Sequence, residues 1–228
     1  MKTLGLIGGT SWESTVEYYR ILNREINKRL GGQHSCKLRL YSFDFDEIDR
    51  YYKTGNIAGV GYRFIEEAQI LEKSGADAVL LCANTAHMFA EKIRKSIKIP
   101  LIHIAEETGK AIRQKGLKKV VLLGTKYTME GDFIIGPLSQ GFGIEVLVPD
   151  PDIRTKINSI IFDELIHGKF HDTSKKFLIE IINKYENING IILGCTELPL
   201  ILKPEDTEKI LFDTTEIHAI AAVDFVLS

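Results

Sequence analysis

The sequence predicts an α/β protein made of two pseudosymmetric open parallel sheets, each flanked by helices, with the active site between the two halves. Three observations lead to this reading. Short apolar runs alternate with longer stretches of helical period, the pattern of parallel strands joined by crossover helices. The polar segments rich in glycine and threonine each follow an apolar run, where a strand ends. The whole series then restarts after roughly 113–117 residues, with the units in the same order.

The elements follow in turn. Residues 4–8, LGLIG, read as a buried strand. From Trp12 to Leu30 the spacing of Val16, Tyr19, Ile21, Leu22 and Ile26 gives an amphipathic helix, stopped by Gly31-Gly32. KLRLYSFDF at 37–45 alternates as a strand does. Helical spacing returns over 59–74, followed by the strand AVLLC, a helix in TAHMFAEKIRKSI, the strand PLIHI and the helix AEETGKAIRQK. In the second half, KVVLLGT at 119–125 matches TLGLIGGT at 3–10, and IEVLVPD takes the place of the second strand. INGIILGCTE at 188–197 pairs with GADAVLLCANT at 75–85, and EKILFDTTEIHAIAAVDFVL closes the series. The expected domains are 1–105 plus 213–228, and 106–212. Open parallel sheets bind ligands beyond the carboxyl ends of their strands. Two related halves would offer equivalent groups to opposite faces of one ligand, a geometry suited to inverting a carbon centre.

A formal net charge of −2 over 228 residues, with acidic and basic residues intermixed, argues against a nucleic-acid partner. No apolar run is long enough to suggest a membrane span, and MKTLGLIGG enters a strand without the features of a signal peptide. The three cysteines, Cys36, Cys82 and Cys195, form neither a disulfide framework nor a C-x-x-C metal pair. A cytoplasmic protein with free thiols and no metal is the expectation.

Two kinds of turn carry chemistry. L-I-G-G-T-S at 6–11 has the glycines of a tight strand-to-helix turn without the dinucleotide spacing. Its amides and the hydroxyls of Thr10 and Ser11 suit a carboxylate or, equally, a helix cap. In G-C-T-E, Cys195 sits where a helix or turn begins. A helix N-terminus lowers a thiol's pKa, and the thiolate is the effective base; an ionised Glu197 close by would oppose this. Thr196 offers a hydroxyl and an amide to a substrate carboxylate. No lysine context for pyridoxal phosphate is present, so an α-proton would have to leave without a cofactor, taken by protein groups.

L-I-G-G-T-S-W-E, N-T-A-H and G-C-T-E, in this order and at these distances, resemble the aspartate/glutamate racemase family over essentially the whole chain. The stretch from Gly8 to Ser35 is further similar to its broad-specificity amino-acid racemases. The resemblance implies racemisation by two cysteines on opposite faces of a small amino-acid substrate. No pyridoxal phosphate or metal takes part, and the protein is expected as a homodimer. In the family's first half the catalytic residue directly precedes Asn-Thr. Here Asn84 and Thr85 match and the catalytic position is Ala83, with Cys82 one place early and facing the core.

Residue by residue, the resemblance gives Cys195 the α-proton on one face, Asn84, Thr85 and Thr196 the α-carboxylate, and Arg50 a distal carboxylate. Tyr52 falls where relatives place other polar ligands. Thr125 and Thr128 are the second-half counterparts of the G-G-T-S turn, as site residues or as caps. Where some members have a lysine within 160–168, this chain has Ile166. His87 reads as a satisfied structural histidine, and His103 and His218 as repeat symmetry, not a metal pair. Alanine at position 83, natural or engineered, leaves one face without a proton carrier. A single-cysteine decarboxylase or isomerase acting on a dicarboxylate, and a ligand-binding member without turnover, are therefore the alternatives to an aspartate or glutamate racemase.

Overall fold

The computed structural model describes all residues, Met1–Ser228, and divides into two compact units. One comprises Met1–His103 with His218–Ser228, the other Ile104–Ile217.

In the first unit, β1 (Leu4–Gly8), β2 (Leu38–Ser42), β3 (Ala78–Leu81) and β4 (Leu101–Ile102) form a parallel sheet in the order β2-β1-β3-β4. Its helices are α1 (Trp12–Leu30), α2 (Phe45–Lys53), α3 (Ile57–Lys73) and α4 (Ala90–Arg94). The two-residue alternation of the strands divides the core in two. Leu4, Leu6, Ala78, Leu80 and Cys82 pack with Tyr18, Leu22 and Ile26 of α1 and with Ala219, Ala222, Val223 and Val226. Ile7, Val79 and Leu81 face the other way, against Ile48, Val60, Phe64, Ala68 and Phe89. Complete burial of a side chain such as Leu22 is worth about 1.5–3 kcal/mol.

The second unit repeats the plan. After α5 (Ile104–Gln114) come β5 (Lys119–Gly124), α6 (Lys126–Glu130), α7 (Asp132–Gly136), β6 (Glu145–Leu147), α8 (Pro151–Ser159) and α9 (Asp172–Asn183). They are followed by β7 (Gly190–Gly194), α10 (Leu198–Ile201), β8 (Ile210–Asp213) and α11 (Thr214–Leu227), whose C-terminal part belongs to the first unit. The strand order β6-β5-β7-β8 reproduces that of the first sheet.

Three local expectations are corrected. The face that α1 buries is Ser14, Thr15, Tyr18, Leu22 and Ile26, whereas Val16 and Tyr19 are exposed. The hydroxyls of Ser14 and Thr15 can enter the core because both are satisfied: Ser14 donates to the Cys82 carbonyl (2.6 Å), and Thr15 donates to the Ser11 carbonyl (2.9 Å) while accepting from the Gly9 amide (2.9 Å). The helix expected after β3 is broken: Thr85–Phe89 is a 3₁₀ turn, and α4 starts only at Ala90. The strand expected over 100–104 shortens to Leu101–Ile102, paired with β3 alone, because α5 begins at Ile104.

Candidate active site

The carboxyl ends of the central strands carry the candidate residues. In the first unit Gly9, at φ 86°, makes the turn out of β1; a Cβ there would lie 2.2 Å from the Phe43 carbonyl, so only glycine fits. Ser11 caps α1, accepting from the Ser14 amide at 3.1 Å, which is worth about 1 kcal/mol. Thr10, beside it, is half-buried and its hydroxyl makes no hydrogen bond within the protein. After β3, Ala83 packs against the cluster on the α2–α3 face, and Cys82 is enclosed on the α1 face. Burial pushes the Cys82 thiol far above its ordinary value, which makes it inert as a base. Asn84 is buried and Thr85 half-buried, with the Thr85 hydroxyl making no hydrogen bond within the protein.

In the second unit Thr125 caps α6, accepting from the Thr128 amide at 3.3 Å, and its hydroxyl lies 3.0 Å from that of Thr128. Next to it in the sheet, Cys195 leaves β7 with 9% of its surface exposed. Its Sγ donates to Glu197 Oε2 at 2.7 Å, and Thr196 Oγ1 donates to the same oxygen at 2.9 Å. Burial raises the Cys195 thiol well above its ordinary value, and the Glu197 charge and hydrogen bond raise it further. The amides of Glu197 and Thr196 pull the other way. The lowered pKa that a helix N-terminus would give is therefore corrected: α10 is four residues long and starts three residues later. The sequence shows both residues of the Cys–Glu contact, but only the turn conformation brings their side chains together.

The strand registers fix which residues of the two turns are equivalent. Both β1 and β5 end in glycine, Gly8 and Gly124. Ile7 pairs with Leu81, so Cys82 follows beside Gly8; Gly124 pairs with Gly194. Cys82 thus occupies the place of Gly194, and Ala83 that of Cys195.

The other predicted residues are placed as follows. Arg50 lies on α2 with a 72% exposed side chain and pairs with Asp46 one helical turn away. Tyr52 is half-buried and packs against the α2–α3 core. Ile166 is packed against the second unit's core.

His87 is buried, as expected, but not satisfied. Neither ring nitrogen makes a well-formed hydrogen bond, the Leu81 backbone acting on the ring only weakly, and the ring packs edge-on against His103 and His218, at 4.5 and 5.3 Å between centroids. His218 is held by the Tyr18 hydroxyl on Nδ1 (2.7 Å) and the Ile102 carbonyl on Nε2 (2.9 Å). Burial lowers the His87 pKa well below its ordinary value, helped by the two neighbouring imidazoles, and pushes that of His218 down to about 3. The His87 and His218 rings stay neutral, and the three histidines do not make up a metal-binding group.

Comparison with known proteins places this architecture. The profile of the Asp/Glu/hydantoin racemase family matches residues 7–222. The chain belongs to that family. It is 32% identical over 200 residues to the broad specificity amino-acid racemase RacX of Bacillus subtilis (strain 168), covering 86% of this chain and 81% of that one. An aspartate racemase homologue from Pyrococcus horikoshii OT3 superimposes with a TM-score of 0.88 at 35% identity, over the full length of both chains. The glutamate racemase of Francisella tularensis, solved with D-glutamate, shares the fold at a TM-score of 0.68 and 16% identity, covering 99% of this chain and 81% of that one. The racemase-family fold is thus the two four-stranded parallel sheets described above, and the protein is an isomerase of the amino-acid racemase kind.

Proposed function

We propose that the protein exchanges and inverts the α-proton of an amino acid without a cofactor, using Cys195 as the proton carrier and Glu197 as its partner. The observation that carries this reading is the 2.7 Å hydrogen bond from the Cys195 thiol to the Glu197 carboxylate. A buried thiol is a poor base until it loses its proton, and Glu197 Oε2 stands where it can take that proton. The thiolate then removes the α-proton, and the resulting carbanion needs donors around its carboxylate. The free hydroxyls of Thr10 and Thr85, with Asn84 and Thr196, are the proposed donors.

In the family the chain resembles, a second group serves the other face of the substrate, and Ala83 holds that position. Once the Cys195 thiol has traded the abstracted proton for a solvent deuteron, delivery of that deuteron to the same face regenerates the starting enantiomer with isotope exchange, whereas inversion needs a donor on the other face. Ala83 offers none, which leaves water or the Thr85 hydroxyl. Exchange should therefore outrun inversion. Proton NMR in heavy water, over a panel of amino acids, tests this directly. Cys195→Ala should abolish Cα exchange and Cys82→Ala should leave it largely intact. Equal losses in both variants would remove Cys195 from its assigned role.

On the family's assignment, an acidic substrate, aspartate or glutamate, would be held by Arg50. A second reading, an amino acid with an uncharged side chain, is favoured by the pairing of Arg50 with Asp46 and by Ile166 in the second unit's core. The same substrate panel separates the two.

A further inference from the structure

Burial without a good hydrogen bond sets His87 apart from its neighbours behind the turn after β3. The ring is 2% exposed, and neither nitrogen has a well-formed partner. A buried polar group in that state is costly, and its persistence calls for a reason. His218, the adjoining ring, shows the ordinary solution. Its Nε2–H donates to the Ile102 carbonyl at 2.9 Å, which leaves Nδ1 to accept from the Tyr18 hydroxyl at 2.7 Å. The same pocket satisfies one imidazole and leaves the other bare.

The bare ring is tied to two proposed site residues through the backbone. The His87 amide donates to the Asn84 carbonyl at 3.1 Å, and the Ala90 amide donates to the His87 carbonyl. The 3₁₀ turn Thr85–Phe89 therefore closes around His87. Upstream, Ser14 grips the Cys82 carbonyl at 2.6 Å, so the strand end is fixed and the turn beyond it is the part able to move. The ionisable groups that face the ring are His103 after β4, His218 of α11 with the Tyr18 hydroxyl of α1 behind it, and Arg94 of α4. None of the four is an anion at neutral pH, and His103, His218 and Arg94 all oppose a charge on His87.

We propose that His87 is an acid-sensitive latch and a positioning residue. Uncharged, it keeps the turn closed and so places Asn84 and Thr85; protonated, it leaves the core and the turn opens. An imidazole in water takes up its proton near pH 6.5, whereas burial holds the closed ring's pKa well below that. Below about pH 6.5 the open form therefore binds one more proton than the closed form, and each further pH unit makes opening about tenfold easier. At higher pH the latch is fully engaged. His218 keeps both its hydrogen bonds, so opening takes up one proton and not two. Asn84 and Thr85 hold the substrate carboxylate in the reading proposed above, and the functional meaning of the latch rests on that reading: carboxylate binding is tied to pH.

Amide hydrogen exchange of the full chain, read by mass spectrometry between roughly pH 5 and pH 8 and corrected for intrinsic rates, measures the opening. Protection of the segment 83–90 should be level above about pH 6.5 and fall about tenfold per pH unit below it. Strand β1 should stay better protected than this segment at every pH, which separates local opening from unfolding of the whole unit. His87→Leu, close in size and with no proton to gain, should abolish the break and leave the segment at least about tenfold better protected than wild type near pH 5. The wild-type slope decides the matter by itself should that variant not fold. A flat wild-type profile overturns the proposal, as does a break that survives in His87→Leu. No turnover is read, so the latch can fail while Cys195 keeps its assigned role, and it can hold where Cys195→Ala leaves Cα exchange intact.

Discussion

The turn after β3 and the turn after β7 stand at equivalent places in their sheets and differ in what they can do with a proton. After β7, Cys195 points at Glu197, and a buried thiol and a carboxylate share one hydrogen bond. After β3, the equivalent position is Ala83, and the nearest cysteine is turned into the opposite core. Both turns use the same local devices: a capped helix beside them, a strand end aligned with its neighbour, and a threonine just beyond. The two sheets keep one plan, while only the second turn carries an ionisable side chain at the equivalent position. Geometry alone does not make a two-base site.

The sharpest way to break the comparison is to restore symmetry. Ala83→Cys should raise the rate of inversion by about a hundredfold, near the lower end of what a general acid–base group contributes, with little change in substrate affinity. Initial rates of inversion and of deuterium wash-in, for both enantiomers, give the answer. If inversion does not rise while the ligand still binds, the missing-base account fails and a one-faced reaction such as decarboxylation becomes the better reading.

The next effect belongs to the other turn. Glu197→Gln keeps a hydrogen-bond acceptor but removes the charge that helps hold the thiol's pKa up. The thiolate should then form at lower pH, so the alkaline rise in exchange rate should move toward acid. Its maximum should fall about tenfold, because the proton acceptor is lost. A profile that keeps its position would show that Glu197 does not interact with the reacting thiol.

The parallel sheets and their repetition were legible in the sequence, because strand ends carry short motifs at fixed distances from apolar runs; the place of Ala83 was legible only through the family motif that precedes Asn84-Thr85. The buried face of α1 was not. Counting hydrophobic residues puts Val16 and Tyr19 inward, whereas the sheet takes Ser14 and Thr15, whose hydroxyls find the Cys82 and Ser11 carbonyls. The Cys195–Glu197 contact was legible as two residues and not as a bond, since the conformation of a turn decides whether side chains two apart converge. His87 misled in a third way: burial was foreseeable, but the lack of a well-formed hydrogen bond at either ring nitrogen depends on three segments distant in sequence.

The smallest expected effect concerns Arg50, and it tests whether the first unit contributes charge where it lacks a base. A guanidinium suits bidentate recognition of a carboxylate, and the family resemblance gives Arg50 that role. In the structure its side chain is largely in solvent and already engaged by Asp46. To hold a substrate it would have to leave that pair, an exposed contact worth no more than about 1 kcal/mol. Arg50→Ala should therefore change KM by less than about threefold, and by the same factor for aspartate and for a neutral amino acid. Steady-state rates on both substrates decide it. A tenfold or greater rise in KM confined to aspartate or glutamate would show that Arg50 swings from Asp46 onto the substrate. The acidic-substrate reading would then displace the neutral one.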